Sequence, residues 1–294
     1  MTGLDAATLA KLAGVKLRAR TVMEGVLSGL HKSPHQGQSV EFSEHKEYAP
    51  GDELRHLDWK AFGKFDRYYV KRYEHETNLR AVLVIDGSGS MGYRSAALSK
   101  LEVAATLAGA MAYLLVRQQD AAGVSVVTRE GFAEVPPRAA AGHLHTVLEA
   151  LEAVEPRGGT DLFAAAEHLA ERVRRGGLIL IFSDLFDDRE EALARLLALR
   201  ARGNDVAVFQ VLDPAELEFP FDDPTLFLSM EDERKLEVNA REIRASYLEE
   251  VGAFLQRTRA ACSQADVDYT LVRTDEPLDS VLLTFLGKRS GRTR

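Results

Sequence analysis

From residue 80 onward the chain alternates short, wholly apolar runs with longer segments of helical period. Ala81-Val82-Leu83-Val84-Ile85 ends at Asp86, and Leu178-Ile179-Leu180-Ile181-Phe182 ends at Ser183-Asp184. Runs of that length without polar alternation are expected of strands covered on both faces. The pattern predicts further strands over 123–128, 206–212 and 267–272, and a hairpin over 225–238. A short edge strand over 132–135 is expected to stop at Pro136-Pro137. Helices are expected over 95–118, 141–154, 161–174, 189–201, 240–263 and 277–286. Repeated strand–helix units imply an α/β fold, a doubly wound, mostly parallel sheet with helices on both faces.

Before residue 80 the pattern differs. Val22, Met23, Val26, Leu27 and Leu30 share one face of a helix expected over 4–30, which Ser33-Pro34 ends. A polar, irregular segment follows, with a turn at Ala49-Pro50-Gly51-Asp52 and an alternating aromatic strand over 67–73. The expected organisation is a helix plus small β-containing unit over 1–79, the α/β domain over 80–288, and a frayed basic tail over 289–294.

Composition narrows the class. The 294 residues are 46% hydrophobic and 28% charged, which excludes a disordered chain. The net charge of −8 is uneven: the first 80 residues hold 13 Lys/Arg against 11 Asp/Glu, and the remainder 24 against 34. This acidic balance weighs against nucleic-acid binding. The single cysteine, Cys262, excludes an internal disulfide framework and a zinc site of several thiolates, and reads as a small buried apolar residue. The longest mostly apolar stretch, 14 residues over 103–116, is shorter than the ~20 a membrane span needs. The first residues lack the basic-then-apolar pattern of a leader. The expectation is a cytoplasmic protein with no direct membrane span.

Candidate chemistry lies where buried strands end, because open α/β sheets bind ligands at their carboxyl edge. After the first such strand the chain reads Asp86-Gly87-Ser88-Gly89-Ser90-Met91-Gly92. The glycines spell a dinucleotide fingerprint, but Asp86 would set a carboxylate beside the pyrophosphate, and the next strand-end acid, Glu130, lies 38 residues past Gly92 rather than ~20. A nucleophilic-serine elbow needs glycine where Ser88 stands, and His143, His145 and His168 do not follow a late strand. A phosphoryl-accepting aspartate is a poor fit as well, since Ser88 stands where a second acid would be. A divalent-cation site fits better: Asp86, Ser88 and Ser90 offer three oxygens at alternate positions of a tight turn. Thr160, after Gly158-Gly159, adds a hydroxyl, and Asp184 would lie beside Asp86 if the two apolar strands are neighbours. Two such carboxylates repel unless protonated or bridged by a cation. Taken singly each residue has a plainer reading: an Asx/Ser turn, an N-cap of helix 161–174 for Thr160, a surface acid for Asp184. Taken together the five favour a metal site.

That set, Asp86-x-Ser88-x-Ser90 with Thr160 and Asp184, resembles the metal-ion-dependent adhesion site of von Willebrand factor A domains. Upstream, residues 41–59, including Asp52, Arg55, Asp58 and Trp59, with Arg67-Tyr68-Tyr69-Val70-Lys71 and Glu74, resemble the signature of domain-of-unknown-function family 58. These bacterial proteins carry a von Willebrand factor A-like domain and commonly accompany MoxR-type AAA+ ATPases. The resemblance implies Mg²⁺ (or Mn²⁺) held by Ser88, Ser90 and Thr160, with Asp86 and Asp184 binding directly or through water. It also implies one open coordination position, filled by an Asp or Glu of a protein partner. Gly87 departs from the alanine common there and loosens the turn. The implied function is a metal-dependent protein-binding module without catalysis, an adaptor or partner of such an ATPase; the alternative is a Mg²⁺-dependent phosphoester hydrolase using the same acids. Asp52, Arg55, Asp58 and Trp59 read as joining the N-terminal segment to the sheet, Tyr68, Tyr69 and Tyr73 as strand packing, and Asp187 and Asp188 as solvated acids at a helix start.

Overall fold

The computed structural model describes residues 6–32, 46–47, 69–70, 79–140, 142–187, 189 and 191–292. The turn at 49–52, the signature residues Asp52, Arg55, Asp58 and Trp59, and Tyr68, Tyr73 and Asp188 lie outside them. The chain forms two compact units, residues 31–78 and residues 1–30 with 79–294. Within the first, strands β1 (Lys46–Glu47) and β2 (Tyr69–Val70) pair antiparallel.

The larger unit is built on a six-stranded sheet in the order β10-β7-β6-β3-β4-β5. Its strands are β3 (Arg80–Asp86), β4 (Ala121–Thr128), β5 (Gly131–Arg138), β6 (Leu178–Ser183), β7 (Asp205–Leu212) and β10 (Asp268–Arg273). All neighbours are parallel except β4 and β5. A separate hairpin joins β8 (Pro224–Leu228) to β9 (Lys235–Asn239). The helices are α1 (Ala6–Ala10), α2 (Val15–Lys32), α3 (Lys100–Arg117), α4 (His143–Glu152), α5 (Leu162–Arg172), α6 (Ala192–Ala201), α7 (Pro214–Glu218), α8 (Ala240–Gln264) and α9 (Leu278–Arg292). Among the described residues, no helix is long and apolar enough to cross a membrane.

The apolar runs serve both faces, as strand periodicity requires. Leu83, Ile85, Leu180 and Phe182 pack with α2, α3, α4 and α9, while Val84, Ile179 and Ile181 pack with α5, α6 and α8. The helix expected over 4–30 breaks at Gly14, which adopts a left-handed φ of +80°. Its second part, α2, shares the sheet's core through Val15, Ala19, Val22, Met23 and Val26. It therefore belongs with the α/β unit, so the boundary expected at residue 79 does not separate them. α2 comes close to α3 at Gly109, where a Cβ would meet that of Ala19 at 2.8 Å. Cys262 is fully buried, and burial pushes its thiol up to about 11.

Two expectations are corrected. β5 runs through Pro136-Pro137 to Arg138 instead of ending before them. As the edge strand, it leaves an outer side that needs no ladder donors, and a register shift opposite Ala122 and Val124 absorbs the irregularity. The basic tail is not frayed from 289: α9 continues to Arg292. Arg289 ties it down by pairing with Asp205 at 3.2 Å and Asp268 at 3.4 Å, and by lying over the Phe285 ring.

Candidate metal centre

The order of the sheet reverses between β3 and β6, the switch point at which such sheets open a crevice at their carboxyl ends. Ile85 lies opposite Phe182, so Asp86 emerges beside Ser183 with Asp184 one residue further on, and both aspartates are buried. Asp86 accepts hydrogen bonds from the Ser88 amide at 3.0 Å and from Ser183 Oγ at 2.5 Å. Burial first, and then the neighbouring Asp184 carboxylate, push the Asp86 carboxyl up to about 6. The Ser88 and Ser90 hydroxyls stand 3.0 Å apart on the turn that follows.

The loop carrying Thr160 docks on that turn through backbone contacts. Gly89 N donates to Gly158 O at 2.7 Å and Arg157 N to Gly87 O at 3.1 Å. Gly158 takes a left-handed φ of +62°, which a side chain would disfavour. The cap of α5 is Asp161, whose carboxylate accepts from Ala164 N at 2.8 Å, so Thr160 does not serve as the cap. Thr160 Oγ1 is instead buried without a hydrogen-bond partner among the described residues. An unsatisfied buried hydroxyl costs roughly 1–3 kcal/mol. The fold thus brings Asp86, Ser88, Ser90, Thr160 and Asp184 to one corner. Asp187, expected as a solvated acid, instead accepts from the Leu162 amide at 2.8 Å, fastening the loop after β6 to the start of α5.

Sequence reasoning missed a cation already in place. Lys100, in the first turn of α3, is fully buried. Its Nζ donates to Asp184 Oδ2 at 2.8 Å and to Glu216 Oε1 at 2.6 Å. Burial works against the ammonium, but Asp184 and Glu216 outweigh it and hold its pKa above the ordinary lysine value. Burial raises Glu216 despite the lysine beside it. The Phe186 amide donates to Asp184 Oδ1 at 3.0 Å. Asp184 therefore has a donor on each oxygen, although a carboxylate accepts about four in all.

Above this corner opens a cleft of about 560 Å³, lined by Ser90, Thr160, Phe186 and Glu216 and by Met230 and Glu231 of the β8–β9 tip. The tip crosses so close to the turn that a Cβ on Gly89 would overlap the Met230 carbonyl. Gly89→Ala is accordingly expected to cost about 1–3 kcal/mol and to lift the tip. Thermal unfolding together with faster proteolysis at 229–234 would register both effects; an unchanged cleavage rate would contradict the close approach.

Among the described residues, no group of three or more His, Cys, Asp or Glu could hold a metal. The corner's donor set is two carboxylates with three hydroxyls, an all-oxygen set suited to Mg²⁺ rather than to zinc. Fold and corner together define a doubly wound α/β protein with an acid- and hydroxyl-lined site at its switch point. The chain belongs to the family described as "Protein of unknown function DUF58", whose model matches residues 44–256. Uncharacterised proteins of Mycobacterium tuberculosis and Mycobacterium bovis are each 29% identical to it over 219 residues, 74% of this chain and 68% of theirs. Similar solved structures include the conserved hypothetical protein BatB of Bacteroides thetaiotaomicron, 16% identical with a TM-score of 0.46 over 72% of this chain and 99% of that one. An aerotolerance-related membrane protein of Bacteroides fragilis is 18% identical with a TM-score of 0.48, over 71% and 97%.

Proposed function

We propose that this protein is a metal-ion-dependent protein-binding module that takes a partner's Asp or Glu carboxylate through Mg²⁺. Ser88, Ser90 and Thr160 would hold the cation with their hydroxyls, and Asp86 and Asp184 would supply its charge. Such a cation presents an electrophilic position to an incoming carboxylate. The observation that carries the reading is Thr160 Oγ1, a buried oxygen without a partner, on a loop docked against the Ser88–Ser90 turn. The oxygens of Asp86 and Asp184 are already held by donors, which suits charge supply better than proton abstraction from water. The family resemblance makes a MoxR-type AAA+ ATPase the partner to try first.

Calorimetric titration with Mg²⁺ tests the site. Thr160→Ala removes the unpaired buried hydroxyl together with a methyl group and breaks no hydrogen bond, so in EDTA it should be no less stable than wild type by more than about 1 kcal/mol. Its Mg²⁺ affinity should fall roughly tenfold or more. Equal affinity in both proteins would remove Thr160 from the site, and no heat in the wild type would remove the metal. Mg²⁺-dependent phosphoester turnover lost in Asp86→Ala would replace binding by hydrolysis.

A further inference from the structure

We infer that Glu231, at the tip of the β8–β9 hairpin, is an internal carboxylate for the same cation position and competes there with a partner's acid. The inference rests on the metal-dependent reading above. Four observations place Glu231 in that role. First, the hairpin forms its own two-stranded sheet, outside the six-stranded one, so its tip is not fixed by the central ladder. Its body is held by aromatic packing: Phe227 lies 5.3 Å from Phe221 and 5.8 Å from Phe219, and Phe219 lies 4.4 Å from Tyr247 of α8.

Second, the tip is a tight loop aimed over the site. Ser229 N donates to Arg234 O at 2.9 Å, and Ser229 Oγ accepts from the Glu231 and Asp232 amides at 3.3 and 3.2 Å. Third, Glu231 is half-buried while Met230 and residues 232–235 are exposed. A glutamate is ordinarily the residue that faces water. Fourth, its carboxylate lies over the Thr160 loop in the company of Arg129: Oε2 is 3.4 Å, and Arg129 Nη1 3.6 Å, from the position a Cβ on Gly159 would take. Thr160, Ser90 and Glu231 line one cleft.

The chemistry follows. Mg²⁺ keeps several water positions when a protein supplies few charged ligands. A carboxylate tethered at the rim of the cleft replaces one of those waters without the translational cost a free partner meets. A partner's acid must then displace Glu231, and the hairpin sets the threshold for binding.

Mn²⁺ serves as the probe on the full chain, read by calorimetry and by water-proton relaxation per bound ion. The wild type should bind Mn²⁺ with one coordination position closed to water. Glu231→Gln should weaken Mn²⁺ roughly tenfold and raise relaxation per bound ion, since a water enters the vacated position. Acetate should reverse that rise in Glu231→Gln and leave the wild type unchanged. Equal Mn²⁺ affinity and relaxation in the two proteins would overturn the role of Glu231 while leaving the site standing. Absence of Mn²⁺ binding to the wild type, or binding unaffected by Asp86→Ala, would overturn the site and Glu231 with it.

Discussion

Replacing Lys100 by methionine is expected to destabilise the metal-free protein by about 3–5 kcal/mol, the usual cost of removing one partner from a buried ion pair. The ammonium and Asp184 are both shut away from solvent, and Glu216 is 19% exposed at its side chain. Methionine fills nearly the same volume, so the loss is of charge rather than of packing. Two carboxylates are then left facing each other beside Asp86. Adding Glu216→Gln to Lys100→Met should recover part of the loss, because it removes one of the stranded charges. Mg²⁺ should recover more stability in Lys100→Met than in the wild type, since the divalent ion no longer competes with the ammonium for Asp184. Thermal unfolding in EDTA and in excess Mg²⁺ measures all three. A Lys100→Met protein as stable as wild type in EDTA would mean that the pair contributes no net stability.

The second large effect is on pH dependence. The Asp86 carboxyl titrates near 6 in the folded protein and near its ordinary value of 3.8 in the unfolded chain. Between those values the folded form holds a proton that the unfolded form has released. The stability contributed by protonated Asp86 is thus complete below about pH 4 and is lost as pH rises through about 6. That difference corresponds to roughly 3 kcal/mol. Asp86→Asn carries no charge to titrate. In EDTA, the stability of wild type relative to Asp86→Asn should therefore fall by about that amount between pH 4 and pH 7. Excess Mg²⁺ should flatten the difference by stabilising the ionised carboxylate. Parallel pH profiles for the two proteins in EDTA would show that Asp86 ionises in the fold at no cost.

The sheet and the acidic corner were legible because their signals are local. β3 and β6 are covered on both faces and so read as unbroken apolar runs, each delivering an aspartate at its end. The glycine-flanked hydroxyls announced two turns, and adjacency of the two strands was the one assumption needed to bring them together. Lys100 was not legible. In sequence it is the first-turn lysine of a largely apolar helix, next to the Ser99–Glu102 capping box, a terminal position normally solvated. Only the crossing of α3 beneath the loop after β6 and above α7 encloses it, through partners 84 and 116 residues away. Glu231 was hidden for a similar reason: alternation predicts the hairpin, but not that its tip lies across the switch point. The continuation of β5 through Pro136-Pro137 depended on its being outermost, a fact of strand order that no single segment contains.

That outermost strand has a consequence for behaviour in solution. Edge strands are templates on which a second molecule can add. Pro136 and Pro137 remove two amide donors from β5, and the register shift beside them bends the strand away from a flat ladder. Recruitment of another chain by strand addition is therefore disfavoured along this border. The proline pair that defeats a simple strand rule thus helps protect the protein against edge-to-edge aggregation.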